Sequence, residues 1–285
     1  DIRIVCPLHR SCKTFPFNYF DKTFEIGGKK QERKAKLAET RLGESEVPVY
    51  FVENEFLYDR PGIYSDDRGD YKDNPQRVFG LCKSAMQIEA ITGWRPDVFH
   101  AHDWMAAPIC AFLNNSKTKG AGKQASVLTI HNLEHQGNGS YEDFTDSGLP
   151  LDYWSSSFDQ FGSMNLLKSG IQHADKITTV SPTYAQEIRN AEFGHGLEES
   201  LKYRGADIIG ILNGIDQGSW NPLFDQSLAS FIDPKNPFEG KAKCKTALLN
   251  EMNLSQGNDA PLFGVVSRLY RQKGLDLLLE NLPFL

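Results

Sequence analysis

"KITTVSPTYAQEI", residues 176–188, decides the fold. Its first half, Lys176 to Val180, is a short, mostly apolar and β-branched run, the right length for a strand buried on both faces. A polar corner follows. Ser181 is a candidate N-cap, because its hydroxyl can accept a backbone N–H that the first helical turn leaves unpaired. Pro182 then stands where a helix has no use for an N–H. Strand, cap and helix in thirteen residues make a βα unit.

The same pattern recurs outward in both directions. Short apolar runs end in polar clusters at "DVFHAHD" (97–103), "SVLTIHN" (126–132), "IIGILNG" (208–214) and "LFGVVSR" (262–268). Helix-like segments follow or intervene. "NPQRVFGLCKSAMQIEAI", 74–91, spaces Val78, Leu81, Cys82, Ala85, Met86 and Ala90 as one helix. "GKAKCKTALLNEM" and "KGLDLLLENL" read as two more. Alternating strands and helices predict an α/β fold with a Rossmann-like, doubly wound parallel sheet. In such a sheet the carboxyl ends of the strands share one edge, and ligands bind there. His102, Asp103, His131, Asn132, Ser181, Asn213 and Arg268 are thereby expected on one rim. The plain alternative for each is a polar residue that caps its own strand end.

The first 60 residues are less regular. "TFEIGG", "KAKLAETRLG" and "VPVYFVEN" read as strands or a hairpin before the turn-rich "YDRPG". Residues 137–160 read as a long irregular loop, a feature often tied to function. Residues 221–240, with Pro222, Pro234 and Pro237, read as a connector, and a new βα unit is expected from about residue 261. The chain begins with Asp1 in what reads as a strand, so an N-terminal segment is expected to be missing.

Composition excludes several classes. A net charge of -6 argues against general nucleic-acid binding, which needs an electropositive surface. The one basic cluster, "KKQERKAK" (29–36), reads as a solvated face. No apolar stretch approaches the ~20 residues of a membrane helix. Cys6, Cys12, Cys82, Cys110 and Cys244 are scattered without a CxxC, which suits reduced thiols in a cytosol-like compartment.

His100 and His102 form an H-x-H, which on a strand projects both rings to one face, as zinc sites use. The usual continuation H-x-H-x-D-H fails here. Trp104 holds the Asp position, Met105 the last His position, and Asp103 falls one residue early. No HExxH is present, and the expectation is no metal. There is no G-x-S-x-G, and Ser181 before Pro fits a cap better than a nucleophile. Neither G-x-x-x-x-G-K-[ST] nor G-x-G-x-x-G occurs. "SRLYRQKG" does place Arg268 and Lys273 in a loop that leads into a helix. Two cations beside a helix N-terminus suit a diphosphate, although on spacing alone they could be ordinary surface charges. Asn213-Gly214 is by itself a turn.

Taken together, "LYDRPGIY" (57–64), "RPDVFHAHDW" (95–104), "TIHNLEHQG" (129–137), "NLLKSGIQHADKITTVSPTYAQEI" (165–188), "GILNGIDQGSWNP" (210–222) and "VVSRLYRQKGLDLL" (265–278) resemble the glycogen and starch synthases of the ADP-glucose type, in the same order. The resemblance runs from about residue 50 to the end. It implies a GT-B glycosyltransferase with two Rossmann-like lobes. Residues 1–258 would be the N-terminal, acceptor-side lobe, and 259–285 the first βα unit of the nucleotide-sugar lobe. It further implies transfer of glucose from ADP-glucose to the non-reducing end of an α-1,4-glucan, with retention and without metal or other cofactor. Asp103 would line the glucose pocket, and His131 would lie beside the reacting carbon. Asn213 would contact the sugar, Arg268 and Lys273 would hold the diphosphate, and Tyr58 would lie near the acceptor. A cytoplasmic enzyme is implied for a bacterial source and a plastid one for a plant or alga. The chain departs from the family in three ways. The Lys-x-Gly-Gly-Leu loop is absent, only the start of the second lobe is present, and Met105 replaces a common His. The chain then reads as an incomplete enzyme or, as an alternative, a one-lobed glucan-binding or regulatory paralogue.

Overall fold

A computed structural model describes residues 1–28, 33–43, 45–120, 122–255 and 260–284. The chain divides into two compact units, Asp1–Asn213 and Gly214–Leu285. The boundary expected between residues 258 and 259, and half of the basic stretch 29–36, lie outside the described residues.

The first unit opens with β1 (Ile4–Pro7), β2 (Asn18–Glu25), β3 (Lys34–Arg41) and β4 (Pro48–Glu53). They form one sheet in the order β1-β4-β3-β2, with β1 parallel to β4 and β3 antiparallel to both of its neighbours. Period-two burial explains β3: Ala35 and Leu37 are buried while Lys34 and Lys36 are exposed. A short α1 (Glu55–Tyr58) follows, capped by Asn54, whose Oδ1 accepts the Leu57 N–H at 2.9 Å. The two-residue ladder of β5 (Ser65–Asp66) and β6 (Gly69–Asp70) leads to α2 (Asn74–Ala85).

The single helix expected over 74–91 is broken. It stops at Ala85 and resumes as α3 (Ile88–Thr92), which ends on Gly93 in the left-handed region. The two helices lie against two cores. Val78, Phe79 and Cys82 pack with Leu128 and Ile130, whereas Ile88 packs with Leu37, Tyr50, Leu57 and Tyr58. Leu81 packs against the second core as well, so α2 borders both and α3 only the second.

From there the chain alternates as expected. β7 (Val98–His102), α4 (Asp103–Ala106), α5 (Ile109–Thr118) and β8 (Ala125–Ile130) come first. β9 (Asn138–Gly139), α6 (Tyr141–Asp146), β10 (Asp159–Gln160), β11 (Ser163–Asn165), α7 (Leu166–His173) and β12 (Lys176–Thr179) follow. α8 (Pro182–Glu187), α9 (Glu198–Tyr203) and β13 (Ile208–Gly210) close the unit. β7, β8, β12 and β13 make a parallel sheet in the order β13-β12-β8-β7. Leu128, Ile130 and Ile177, on the two central strands, are fully buried, as a sheet covered on both faces requires. Ser181 caps α8 as the sequence suggested, its Oγ accepting the Tyr184 N–H at 3.2 Å. α7 can approach its neighbours because residue 170 is glycine. A Cβ there would lie 2.7 Å from the Ala107 Cβ and 3.0 Å from Leu128 Cδ2.

Residues 137–160 are not the irregular loop expected. Ser140 and Asp143 form a reciprocal capping box that starts α6, and Trp154–Phe158 make a π-helical turn. Phe144 and Phe158 are both wholly buried, so this segment builds core. The S-x-x-D spacing was readable as a helix start.

The second unit contains α10 (Pro237–Glu251) and α11 (Leu275–Asn281). α10 covers the helix expected from residue 240 and begins earlier, on Pro237. The strand expected at 262–268 is not formed; residues 260–270 carry neither helix nor strand. A parallel strand draws its hydrogen bonds from neighbouring strands. Among the described residues of this unit none is present, only an isolated bridge between Asp233 and Asn236.

Candidate functional site

The polar ends of β7 and β8 meet. His100 and His102 point to the same side of β7, with ring centroids 4.3 Å apart. Across the register, His100 Nε2 lies 2.6 Å from Thr129 Oγ1 on β8, which lies 2.6 Å from Thr178 Oγ1 on β12. Three adjacent strands are thus joined by one row of side-chain hydrogen bonds. One step further along, His102 Nδ1 is 3.0 Å from His131 Nε2, and the two rings stack at 5.3 Å. Such a pair holds one shared proton, so one imidazole donates and the other accepts. Burial pushes His100 below the usual histidine range, and His131 adds to the effect. Burial also lowers His102, with His100 and His131 reinforcing it and Asp103 opposing it. Burial thus favours the neutral form of His100 and His102.

Asp103 begins α4 with φ +54°, in the left-handed region. Aspartate is one of the few residues that tolerate this conformation. The turn carries its carboxylate across to β8, where Oδ1 accepts the backbone N–H of His131 at 2.8 Å and of Asn132 at 3.4 Å. Among the described residues, Oδ2 has no partner.

The loop after β8 is pinned elsewhere as well. Tyr184 Oη accepts the Leu133 N–H at 2.9 Å, and Gln136 Nε2 donates to Leu133 O at 3.1 Å. Gly137, at φ +67°, lies against the Trp104 indole so closely that a Cβ would sit 2.3 Å from its Cε3.

The structure therefore brings together His102, Asp103 and His131, three of the residues expected on one rim, with the His102 and His131 rings in contact. The sequence placed His102 on this rim and weighed it for metal, but did not pair it with His131. Among the described residues no group of three or more His, Cys, Asp or Glu side chains could hold a metal ion. The i, i+2 spacing of the histidines was the available signal, but the partner 29 residues away was not in it. Thr129, Thr178, Tyr184 and Gln136 carried no sequence signal.

Tyr58 is buried. It is 1% exposed, and its hydroxyl donates to the Arg77 carbonyl at 2.8 Å. Burial pushes its phenol far above the usual range. Arg77 is itself buried and donates to Leu57 O, Asn74 Oδ1 and Ile63 O. Tyr58, Arg77, His9, Trp104 and Met105 are among the walls of a cavity of about 80 Å³. Met105 thus brings its thioether to this cavity wall.

Asn213 is exposed, three residues beyond β13, and closes the first unit. Arg268 and Lys273 belong to the second unit. Both are exposed, and among the described residues neither has an acidic partner. Lys273 ends a 3-10 turn, and Gly274, at φ +67°, is the N-cap of α11. The loop-to-helix arrangement read from "SRLYRQKG" is present, without the strand before it.

This geometry has relatives. The sequence profile described as the starch synthase catalytic domain matches residues 1–203. Glycogen synthase 1 of Geobacter sulfurreducens is 41% identical over 254 residues, covering 85% of this chain and 49% of that protein. Glycogen synthase 2 of the same organism is 38% identical over 288 residues, covering 99% and 59%. A solved structure, the catalytic domain of Starch Synthase IV from Arabidopsis thaliana bound to ADP and acarbose, superposes with a TM-score of 0.83. Identity there is 29%, over 98% of this chain and 58% of that one. The chain spans about half the length of the curated relatives it matches.

Proposed function

The chain belongs to the starch synthase catalytic domain family, and from that premise we propose that it is the acceptor-side lobe, with the start of the nucleotide-sugar lobe, of a retaining glucosyltransferase. The donor is ADP-glucose and the acceptor is the non-reducing 4-hydroxyl of an α-1,4-glucan. Support comes from the relatives being synthases and from the Starch Synthase IV domain having been solved with ADP and acarbose. The relatives being synthases disfavours the one-lobed, non-catalytic reading. A cytoplasmic location is proposed for a bacterial source, such as that of the Geobacter relatives, and a plastid one for a plant or alga; among the described residues no helix is long and apolar enough to cross a membrane.

The residue roles follow from charge. Breaking a glycosyl-diphosphate bond leaves negative charge on the departing phosphate and positive character on the sugar. Arg268 and Lys273 are proposed to stabilise the first. Asp103 is proposed to hold the His131 loop through Oδ1 and to accept a glucose hydroxyl through Oδ2, its negative charge favouring the second. Asn213 is proposed as a further sugar contact. Tyr58 is proposed to act from behind, fixing Arg77 and the cavity wall rather than touching the acceptor.

The observation that carries the reading is the Asp103 bond to the His131 N–H, which joins two strand ends into one polar rim. The test is glucose incorporation from radiolabelled ADP-glucose into glycogen by the full-length protein. Incorporation that is lost in a folded Asp103→Asn variant supports the proposal. No incorporation by the unaltered protein, with ADP-glucose or with UDP-glucose, rejects it.

A further inference from the structure

Phe161 breaks two local rules at once. Its φ is +56°, where a bulky side chain is an outlier, and it is 89% exposed. It forms the two-residue turn between β10 and β11 with Gly162, whose φ is +85°. Positive φ at both central positions is the hairpin turn that asparagine and glycine fill without strain. Neither the backbone nor the core asks for phenylalanine here.

The turn is nevertheless firmly mounted. Asp159 Oδ1 accepts the Gly162 N–H at 3.0 Å, and Lys168 Nζ donates to Asp159 O at 2.5 Å. Gln160 Nε2 donates to Gly196 O. The Phe161 ring stands over Gly196, where a Cβ would come within 3.1 Å of Cε2. The preceding His195 is exposed and also left-handed, at φ +48°. Its carbonyl accepts from Gln136 Nε2 at 3.1 Å, and Gln136 Oε1 accepts from Asn165 Nδ2 at 2.5 Å. Gln136 lies in the loop that begins with His131. Three segments, 131–137, 159–165 and 194–197, are therefore cross-braced. The exposed ring is fixed to the loop that carries the candidate site.

We propose that Phe161, with His195 beside it, is a stacking subsite for a glucose unit of an α-glucan chain. The proposal rests on the family reading above for its ligand class and goes beyond it in assigning the site. Glucose is polar around its edge and apolar on its C–H faces. A phenyl ring offers an apolar face and no hydrogen bond, so it suits a sugar face and not a phosphate. A rigid aromatic contributes contact area at little entropic cost. His195 supplies ring nitrogens for hydroxyls at the sugar edge.

The test uses Phe161→Gly, which fits the backbone and so does not threaten folding, and Phe161→Trp, which keeps a ring. Maltoheptaose is titrated into the 285-residue chain and followed by NMR line shifts. The unaltered chain and Phe161→Trp are expected to bind, and Phe161→Gly to bind about tenfold more weakly. Equal affinity of Phe161→Gly and the unaltered chain overturns the proposal, and so does absence of binding by the unaltered chain. The same substitutions in the full-length protein separate the two readings. Glucose transfer with a glycogen KM unchanged by Phe161→Gly defeats the subsite and leaves the function standing. Maltoheptaose binding through Phe161 without any transfer defeats the function and leaves the subsite standing.

Discussion

Asp103 Oδ1 accepts the backbone N–H of His131 at 2.8 Å, from a residue held at φ +54°. The bond joins the ends of two parallel strands, and the unusual backbone angle is what lets the carboxylate reach. Two separate requirements meet at residue 103: an acceptor at the Oδ1 position and tolerance of the left-handed region.

Those requirements predict an ordered series in stability. Asp103→Asn keeps both and is expected to cost less than about 1 kcal/mol. Asp103→Ala loses the acceptor and fits the backbone poorly, and is expected to cost about 2–3 kcal/mol. Urea unfolding of the two variants measures the difference. If asparagine proves as damaging as alanine, the geometric account of Asp103 fails.

Acid sensitivity should have a traceable source. His173 stacks on Tyr153 at 4.6 Å, and its buried Nε2 has no partner among the described residues. Burial, with Arg204 adding to it, lowers its pKa from 6.5 to about 4. The folded value lies below the unfolded one, so the unfolded chain binds more protons between them. The stability this contributes is full above pH 6.5 and is lost as pH falls toward 4. The loss is on the order of 2–3 kcal/mol. His173→Phe is expected to flatten this limb, with little change at pH 8, in unfolding curves collected across pH. An unchanged acid slope in His173→Phe would remove His173 as the cause.

Close packing at Gly170 predicts a size conflict. Gly170→Ala places a methyl 2.7 Å from the Ala107 Cβ and is expected to destabilise by about 1–3 kcal/mol. Ala107→Gly in the same chain should recover much of that loss. Additive effects in the double variant would show that the two residues do not meet.

The diphosphate assignment separates binding from folding. Arg268 and Lys273 are exposed and unpaired among the described residues, so replacing either with alanine should leave the melting temperature within a degree or two. In the full-length protein, kcat/KM for ADP-glucose should fall by about 10²-fold or more, while the acceptor KM stays near its starting value. Normal donor kinetics in both variants would withdraw the assignment.

The sequence by itself determined the alternation of strands and helices. β8, β12 and the Ser181–Pro182 start of α8 are set by neighbours within a few residues, through apolar runs, a capping hydroxyl and a missing N–H. It also carried, as a resemblance, the family and a set of candidate site residues. Only the tertiary structure decided which of those residues meet. Asp103 and His131 are 28 residues apart, and parallel pairing of β7 with β8 brings them together. The His102–His131 pair exists only in that register, because a one-residue slip would turn His102 to the other face. α2 and α3 pack against two cores whose other members no local window contains. Tyr58 lies within a turn-rich motif yet ends up buried, since its surroundings come from β3, β4 and α2. The run at 262–268 has the composition of a strand but no partner strand among the described residues, and a strand is made by its partner. Local chemistry sets the elements; which side chains share a proton is set by strand register.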